Sequence, residues 1–191
     1  DVVAHLDAYL EQFTQRLSAN GVHIHHAADA AQAVQIVLDI AGQHNARLVA
    51  KSKTMVSEEI HLNRALEEAG LKVVETDLGE YIVQLRGEAP AHIITPAVHL
   101  RRQDVGQTFH EKLGVPYTDD IPTMTDLARR VLRRVFLDAD IGVSGVNFGV
   151  VENGMLCVLT NGGNGRIVTT VPPVHIALMG IPRMLPSLED L

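Results

Sequence analysis

The sequence is poor in cysteine: Cys157 is the only one in 191 residues. That excludes an internal disulfide framework, a CxxC redox pair and any complete cysteine-ligated cluster within this chain. It fits a reducing, cytoplasmic setting. Positive charge is also in short supply. Sixteen Lys and Arg against 23 Asp and Glu leave a net charge of −7, which argues against nucleic acid or an anionic membrane as the main partner. No apolar run approaches the length of a membrane span. No signal-peptide pattern opens the chain, and no internal repeat or low-complexity tract interrupts it. A G-x-G-x-x-G turn between strand and helix is missing, and with it the nicotinamide fingerprint. The chain starts at Asp1 without a methionine and stops at Leu191, so it reads as a fragment of a longer protein.

What is present is a globular composition, 46% apolar and 20% charged, long enough for a sizeable core. Val2, Val3, Leu6, Leu10, Phe13 and Leu17 fall at helical spacing, with Gly21 beyond the end. Residues 1–20 are therefore read as a helical extension and 21–191 as one α/β domain. Val22–His26 reads as a short strand with His23 and His25 on one face. No carboxylate or further His stands at metal-ligand spacing, so no metal site is assigned. Asp29 caps a helix with Ala33, Ile36, Val37 and Ile40 on its apolar side, and Gln32 at the capping-box position.

Leu48–Ala50 reads as a strand end, followed by Lys51-Ser52-Lys53 and a helix from an N-cap at Ser57 through Ala69. Leu71–Asp77 reads as the next strand and Leu78–Tyr81 as a loop. Polar groups thus gather where both strands end, at the edge where open α/β sheets bind ligands. Lys51 and Lys53 make an anion seat or a basic loop paired to nearby glutamates. Glu75, Asp77 and Glu80 are acid/base groups, ligands or ion-pair partners for those lysines. Ala91–Pro96 reads as a strand, Arg101–Leu113 and Thr123–Leu137 as helices, and Ile141–Asn147 as a glycine-dense strand open to close backbone approach. On the second of those helices Arg129, Arg130, Arg133 and Arg134 form a solvated outer face.

The stretch from Asn147 to Pro173 carries the densest signal. Two apolar runs, Met155–Leu159 and Ile167–Val171, read as buried strands around Thr160-Asn161-Gly162-Gly163-Asn164-Gly165-Arg166. Glycine and asparagine let the backbone approach a ligand, and Arg166 offers a planar fork of donors for a carboxylate or phosphate. Glu152 precedes the Asn153-Gly154 turn. Val174–Gly180 reads as the last strand, with His175 either packed against backbone or working at the Arg166 loop. The candidate ligand set is Lys51, Ser52, Lys53, Ser57, Glu75, Asp77, Asn147, Thr160, Asn161, Gly163, Asn164, Gly165 and Arg166. Glu152 and His175 are the candidate proton-handling residues. The two strand ends, the Glu152 turn and the Asn161–Arg166 loop are expected to meet in one cleft. Early alternation and late consecutive strands predict an α/β three-layer sandwich with a mainly parallel sheet.

Several of these motifs in order resemble the LUD domain of lactate-utilisation iron–sulfur proteins of the LutB type. They are Lys51-Ser52-Lys53 through Ser57-Glu58-Glu59, Glu75 through Tyr81, Thr160-Asn161, Gly163 through Arg166, Pro172 and His175. The resemblance covers nearly the whole chain and implies a NagB/RpiA/CoA-transferase-like fold. It implies a part in oxidising L-lactate to pyruvate with two partner proteins, as a subunit or domain of an oxidoreductase complex. It also implies [4Fe–4S] motifs beyond the C-terminal end of this domain, with no cofactor inside the fragment itself. Lactate or pyruvate is the implied small carboxylate, seated by Lys51, Lys53 or Arg166. Two other readings stay open: a scaffold that docks partner subunits, and acyl transfer at Glu152, since Glu152-Asn153-Gly154 is similar to the glutamate turn of CoA transferases.

Overall fold

The computed structural model describes residues 3–92, 95–160 and 162–191. A four-stranded sheet runs through the middle. Its strands are β1 (Leu48–Lys51), β2 (Lys72–Glu75), β3 (Ile141–Gly145) and, later in the chain, β6 (Val174–Leu178). The order is β2-β1-β3-β6, and every neighbouring pair is parallel. Parallel neighbours need long crossovers, and here helices supply them.

Both faces of the sheet are covered. On one side lie α2 (Ala30–Gln43), α3 (Met55–Glu59) and α4 (Leu62–Glu68). Val37, Ala41, Leu62 and Leu66 pack there on Val49, Val73, Ile141 and Val143. On the other side lie α5 (Leu78–Arg86), α7 (Ile121–Asp138) and α8 (Asn164–Thr170). Tyr81, Leu132, Val135 and Val168 pack there on Ala50 and Val74. Successive residues of a strand point to opposite faces, so Val49 and Ala50, like Val73 and Val74, serve different cores. The fold is thus α/β with helices on both faces of a parallel sheet, as expected. Between α5 and α7 lies α6 (Arg102–Leu113), whose Phe109 joins Ile82, Met124 and Ala128 in a further cluster.

A second, smaller sheet has the order β5-β4-β7 and is built from β4 (Phe148–Val150), β5 (Met155–Cys157) and β7 (Met184–Leu185). Against it packs α1 (Leu6–Ala19), through Phe13 and Leu17 on Val151 and Met184. The helix caps follow the sequence closely. Asp29 accepts from Gln32 N at 2.8 Å, while Gln32 Oε1 accepts from Ala28 N at 2.7 Å. Gly114 closes α6 at a φ of 67°.

Several local expectations are corrected. Ile167–Val171 is not a strand; 164–170 is α8. The run is β-branched, yet β6 must lie parallel to β3, and the chain needs a return path. Thr169 and Thr170 hydroxyls settle into the helix by donating to Arg166 O at 3.0 and 2.6 Å. Leu78–Tyr81 is the first turn of α5, because Asp77 Oδ1 accepts from Gly79 N and Glu80 N. The expected helix through Ala69 is broken at His61, whose left-handed φ of 52° separates α3 from α4. Thr54, not Ser57, stands at the N-cap of α3. Val22–His26 has no strand partner and forms no strand. Ile93 and Ile94 of the expected 91–96 strand lie outside the described residues, and none of the rest is strand, with Ala91 N donating to Pro96 O. Residues beyond Pro182 supply β7, so β6 is not the final strand.

Candidate functional site

The C-terminal ends of β1, β2 and β3 emerge at one edge, and the chain leaves each of them through a polar segment. Ser52 N continues the ladder to Val143 O at 2.9 Å, and Thr76 N to Lys51 O at 2.9 Å. Above this edge is a cleft of about 360 Å³. The crossover after β1 lines it with Ser52, Lys53, Thr54, Met55 and Val56, and Asp77, the N-cap of α5, joins them from the segment after β2. Gly145, Val146 and Asn147 follow from β3. The glycine-rich segment closes another side with Val158 to Thr160, Gly162, Asn164 and Gly165, and Arg183 completes the wall. Gly145 is a required close approach: a Cβ there would sit 2.7 Å from Thr54 Oγ1.

Of the expected ligand set, Ser52, Lys53, Asp77, Asn147, Thr160, Asn164 and Gly165 line this cleft together. Asn147 Oδ1 accepts from Leu159 N at 2.8 Å and pins the wall. Lys53 pairs with Glu80 at 3.3 Å. Gly163 stands just outside the lining, and Asn161 lies outside the described residues.

Lys51, Ser57 and Glu75 are brought together, but beneath the cleft. The β1–β2 register sets Lys51 beside Glu75. Lys51 Nζ donates to Ser57 Oγ and Glu58 Oε1 at 2.7 Å and lies 2.8 Å from Glu75 Oε1. Asn63 Nδ2 also donates to Glu75 Oε1, at 2.7 Å. The Lys51 side chain is 1% exposed and that of Glu75 5%. These groups pair with one another, hold the crossover down and do not line the cleft, where the expectation had set all three.

Burial works against the Lys51 charge, but Glu75 and Glu58 outweigh it and hold the ammonium above its ordinary pKa. Burial is also the main influence on Glu75; it exceeds the help from Lys51 and Asn63 and pushes the carboxyl up. Both shifts are upward, so both contributions to stability are lost as pH rises. That of Lys51 is complete below its unfolded value of about 10.4 and is lost as pH passes its folded value. The urea midpoint is therefore expected to fall steeply above that pH, and less steeply in Glu75→Gln, which lacks the charge that most raises Lys51. Equal slopes for both proteins would refute the coupling.

Three expectations lie away from the cleft. Arg166 is an exposed residue in the first turn of α8 and does not line it. Its neighbours Gly165 and Val168 are buried, so the helix turns the guanidinium outward. Glu152 sits beyond β4 on the small sheet, exposed, with Oε2 accepting from Leu188 N at 3.3 Å. The adjoining turn leans on α1, where Asn20 Nδ2 donates to Asn153 O. His175 is an exposed residue on the edge strand β6, with Nε2 2.8 Å from Ser144 Oγ, and partial desolvation lowers its pKa. The single convergent cleft thus holds for the strand ends and for Val158 to Thr160, Gly162, Asn164 and Gly165, and fails for the Glu152 turn and the Arg166 side chain.

The lining residues not anticipated include Arg183, Thr54, Met55 and Leu159. Arg183 is exposed and makes no ion pair with a described residue. It follows Pro182 in a 3-10 turn, Ile181–Arg183, and nothing in its flanks marks it. Among the described residues no group of three or more His, Cys, Asp or Glu is arranged to hold a metal ion. Cys157 is half-buried on β5, and one thiolate cannot complete a four-cysteine cluster. No described helix is long and apolar enough to cross a membrane.

Comparison with known proteins gives the relationship. The chain is 45% identical over 190 residues to lactate utilization protein B of Bacillus pumilus, covering 99% of this chain and 40% of that protein. It is 46% identical over 186 residues to lactate utilization protein B of Bacillus thuringiensis, covering 97% of this chain and 39% of that one. It is 43% identical over 189 residues to the uncharacterized electron transport protein YkgF of Escherichia coli, with 99% and 40% covered. The chain therefore spans about two fifths of the length of these relatives. No solved structure matches it. The family model described as the LUD domain matches residues 10–191, from the middle of α1 to the last residue, and the chain belongs to that family.

Proposed function

We propose that this LUD domain seats the carboxylate of L-lactate, or of the pyruvate formed from it, within a longer protein that oxidises lactate. The observation that carries the reading is Arg183: an exposed guanidinium without an acidic partner among the described residues, on the wall of a cleft at the C-terminal edge of a parallel sheet. A guanidinium matches a carboxylate in two parallel hydrogen bonds. The names of the relatives, lactate utilization protein B and electron transport protein, support the reaction class. Iron–sulfur clusters belong to segments outside this chain, since Cys157 alone does not fit one; when bound they would supply electron acceptors. Asp77 is the carboxylate on the cleft wall. Its Oδ1 caps α5, and its second oxygen accepts the hydroxyl proton of lactate.

Calorimetric titration with L-lactate and pyruvate tests this. Arg183→Ala is expected to weaken binding roughly ten- to a hundredfold, the loss of one charge-assisted pair, while Arg166→Ala changes nothing. Equal affinities for wild type and Arg183→Ala would remove the reading.

A further inference from the structure

The parallel sheet ends in two edges, and the chain treats them differently. β2 is one edge. There the side-chain amide of Gln84 stands in for a neighbouring strand. Its Oε1 accepts from Glu75 N at 2.9 Å, and its Nε2 donates to Val73 O at 2.9 Å. The outward backbone of β2 is thus met from within the chain, and a covered edge invites no further strand. β6 is the other edge. Leu178 O accepts from Val146 N on the β3 side at 3.0 Å. Backbone groups alternate sides along a strand, so Val174, Ile176 and Leu178 face β3, whereas His175 and Ala177 turn their N–H and C=O outward. No described residue pairs with those outward groups. Nor does β6 carry a device that blunts an edge: Val174-His175-Ile176-Ala177-Leu178 has no Lys, Arg, Asp, Glu or Pro. Val174, Ile176 and Leu178 are half-buried at the margin of the core under α2.

We propose that β6 pairs with β6 of a second copy of this chain, antiparallel about a twofold axis at Ile176, joining two four-stranded sheets into one of eight strands. The residues set the register. A twofold at Ile176 places His175 opposite Ala177 of the second copy, and Ala177 opposite its His175. Each such pair exchanges two N–H···O bonds, which satisfies every outward group of both residues. A twofold at His175 would instead set Ala177 against Pro173, which has no N–H to give. A twofold at Ala177 would set His175 against Met179, which lies past the end of β6 and packs into the cluster around Phe13. The Ile176 register also stacks aliphatic side chains across the seam, Ile176 on Ile176 and Val174 on Leu178, and cross-strand pairs of this kind stabilise a sheet. Identical strands repel when they carry like charges, and β6 has no acidic side chain, lysine or arginine. What selects a second copy over another extended segment is this fit: β6 is its own complement in hydrogen bonds, side-chain size and charge. The proposal is independent of the lactate reading.

Sedimentation equilibrium of the chain at micromolar concentration is expected to give twice the monomer mass. Ala177→Pro removes half of the hydrogen bonds at the seam, and proline is tolerated on an edge strand where the N–H faces outward. It is expected to keep the circular-dichroism spectrum of wild type and to raise the dimer dissociation constant about tenfold to a hundredfold. Ile176→Cys is a second measure that does not depend on the proline variant. At the twofold, residue 176 meets its copy in a non-hydrogen-bonded pair with Cα atoms about 4.5 Å apart, within reach of a disulfide. Mild oxidation is expected to turn Ile176→Cys into a covalent dimer on a non-reducing gel. Wild type, with Cys157 alone, and Val174→Cys are expected to stay uncrosslinked, since the two residues 174 are offset by about 13 Å along the strands. A monomer would overturn the proposal and leave the β6 edge to a segment of a longer chain or to another protein. A dimer indifferent to Ala177→Pro, or one in which Val174→Cys cross-links and Ile176→Cys does not, would overturn it as well.

Discussion

Lys51→Ala is expected to destabilise the domain by about 3–5 kcal/mol, the usual cost of removing one partner from a buried ion pair. For a domain of this size that lowers the melting temperature on the order of 10 °C. The reason is what the ammonium leaves behind. Glu75 would keep a buried carboxylate whose Oε2 already has no partner, with Asn63 as its remaining donor. Ser57 Oγ would lose its donor while still holding Thr54 O at 2.9 Å. Glu58 matters less, since its side chain is 45% exposed and water can take over. The double variant Lys51→Met, Glu75→Leu is expected to recover most of the loss, because replacing both charges with apolar groups removes the desolvation cost together with the attraction. Urea denaturation of the wild type, the single and the double variant measures this. A single variant within about 1 kcal/mol of wild type, the scale of an exposed pair, would show that the pair does not hold the crossover.

The second large effect is at Gly142. A Cβ added there would lie 2.0 Å from Val168 O and 3.2 Å from Pro172 Cγ. Backbone cannot swing aside as a long side chain can, so Gly142→Ala has to push α8 off β3. Overpacking of this kind costs about 1–3 kcal/mol or more. The same movement carries away Asn164 and Gly165, which line the cleft. Gly142→Ala is therefore expected to lose both stability and lactate binding, although residue 142 does not line the cleft. Gly42→Ala is the control. It lies in α2 with nothing within 4 Å of the added Cβ, and it is expected to gain up to about 1 kcal/mol from helix propensity and reduced unfolded-state entropy. If Gly142→Ala melts and binds like wild type, α8 is not set by its contact with β3.

These two positions also divide what could be read in advance from what could not. Glycine at 142 was legible as a point of close approach, because few other reasons place it inside a strand. The element that approaches was not. Ile167 to Val171 has the β-branched composition of a strand, and only the parallel pairing of β3 with β6 makes a helix of it. Lys51 and Glu75 were both legible as charges at strand ends. Whether they reach a ligand or each other depends on register and facing. A one-residue slip would turn either side chain to the other face of the sheet, and the observed register turns both toward α3 and α4, away from water.

The sequence by itself determined the family, the helix cap at Asp29 and the helix stop at Gly114, the two strands around 48–51 and 72–75, and the acidic, cysteine-poor character of the chain. These depend on neighbours within a few residues, or on composition, and such signals survive without coordinates. The tertiary structure alone decided which arginine stands on the cleft wall. Arg166 has the suggestive glycine-rich neighbours, but in α8 the buried positions are Gly165 and Val168, which leaves its side chain to solvent. Arg183 has no local signal, yet β7 must pair with β4, and that pairing brings the 181–183 turn to the cleft over the ends of β1 and β3. A cleft shared by residues as far apart in sequence as Ser52 and Arg183 is set by packing and pairing, which no local pattern encodes.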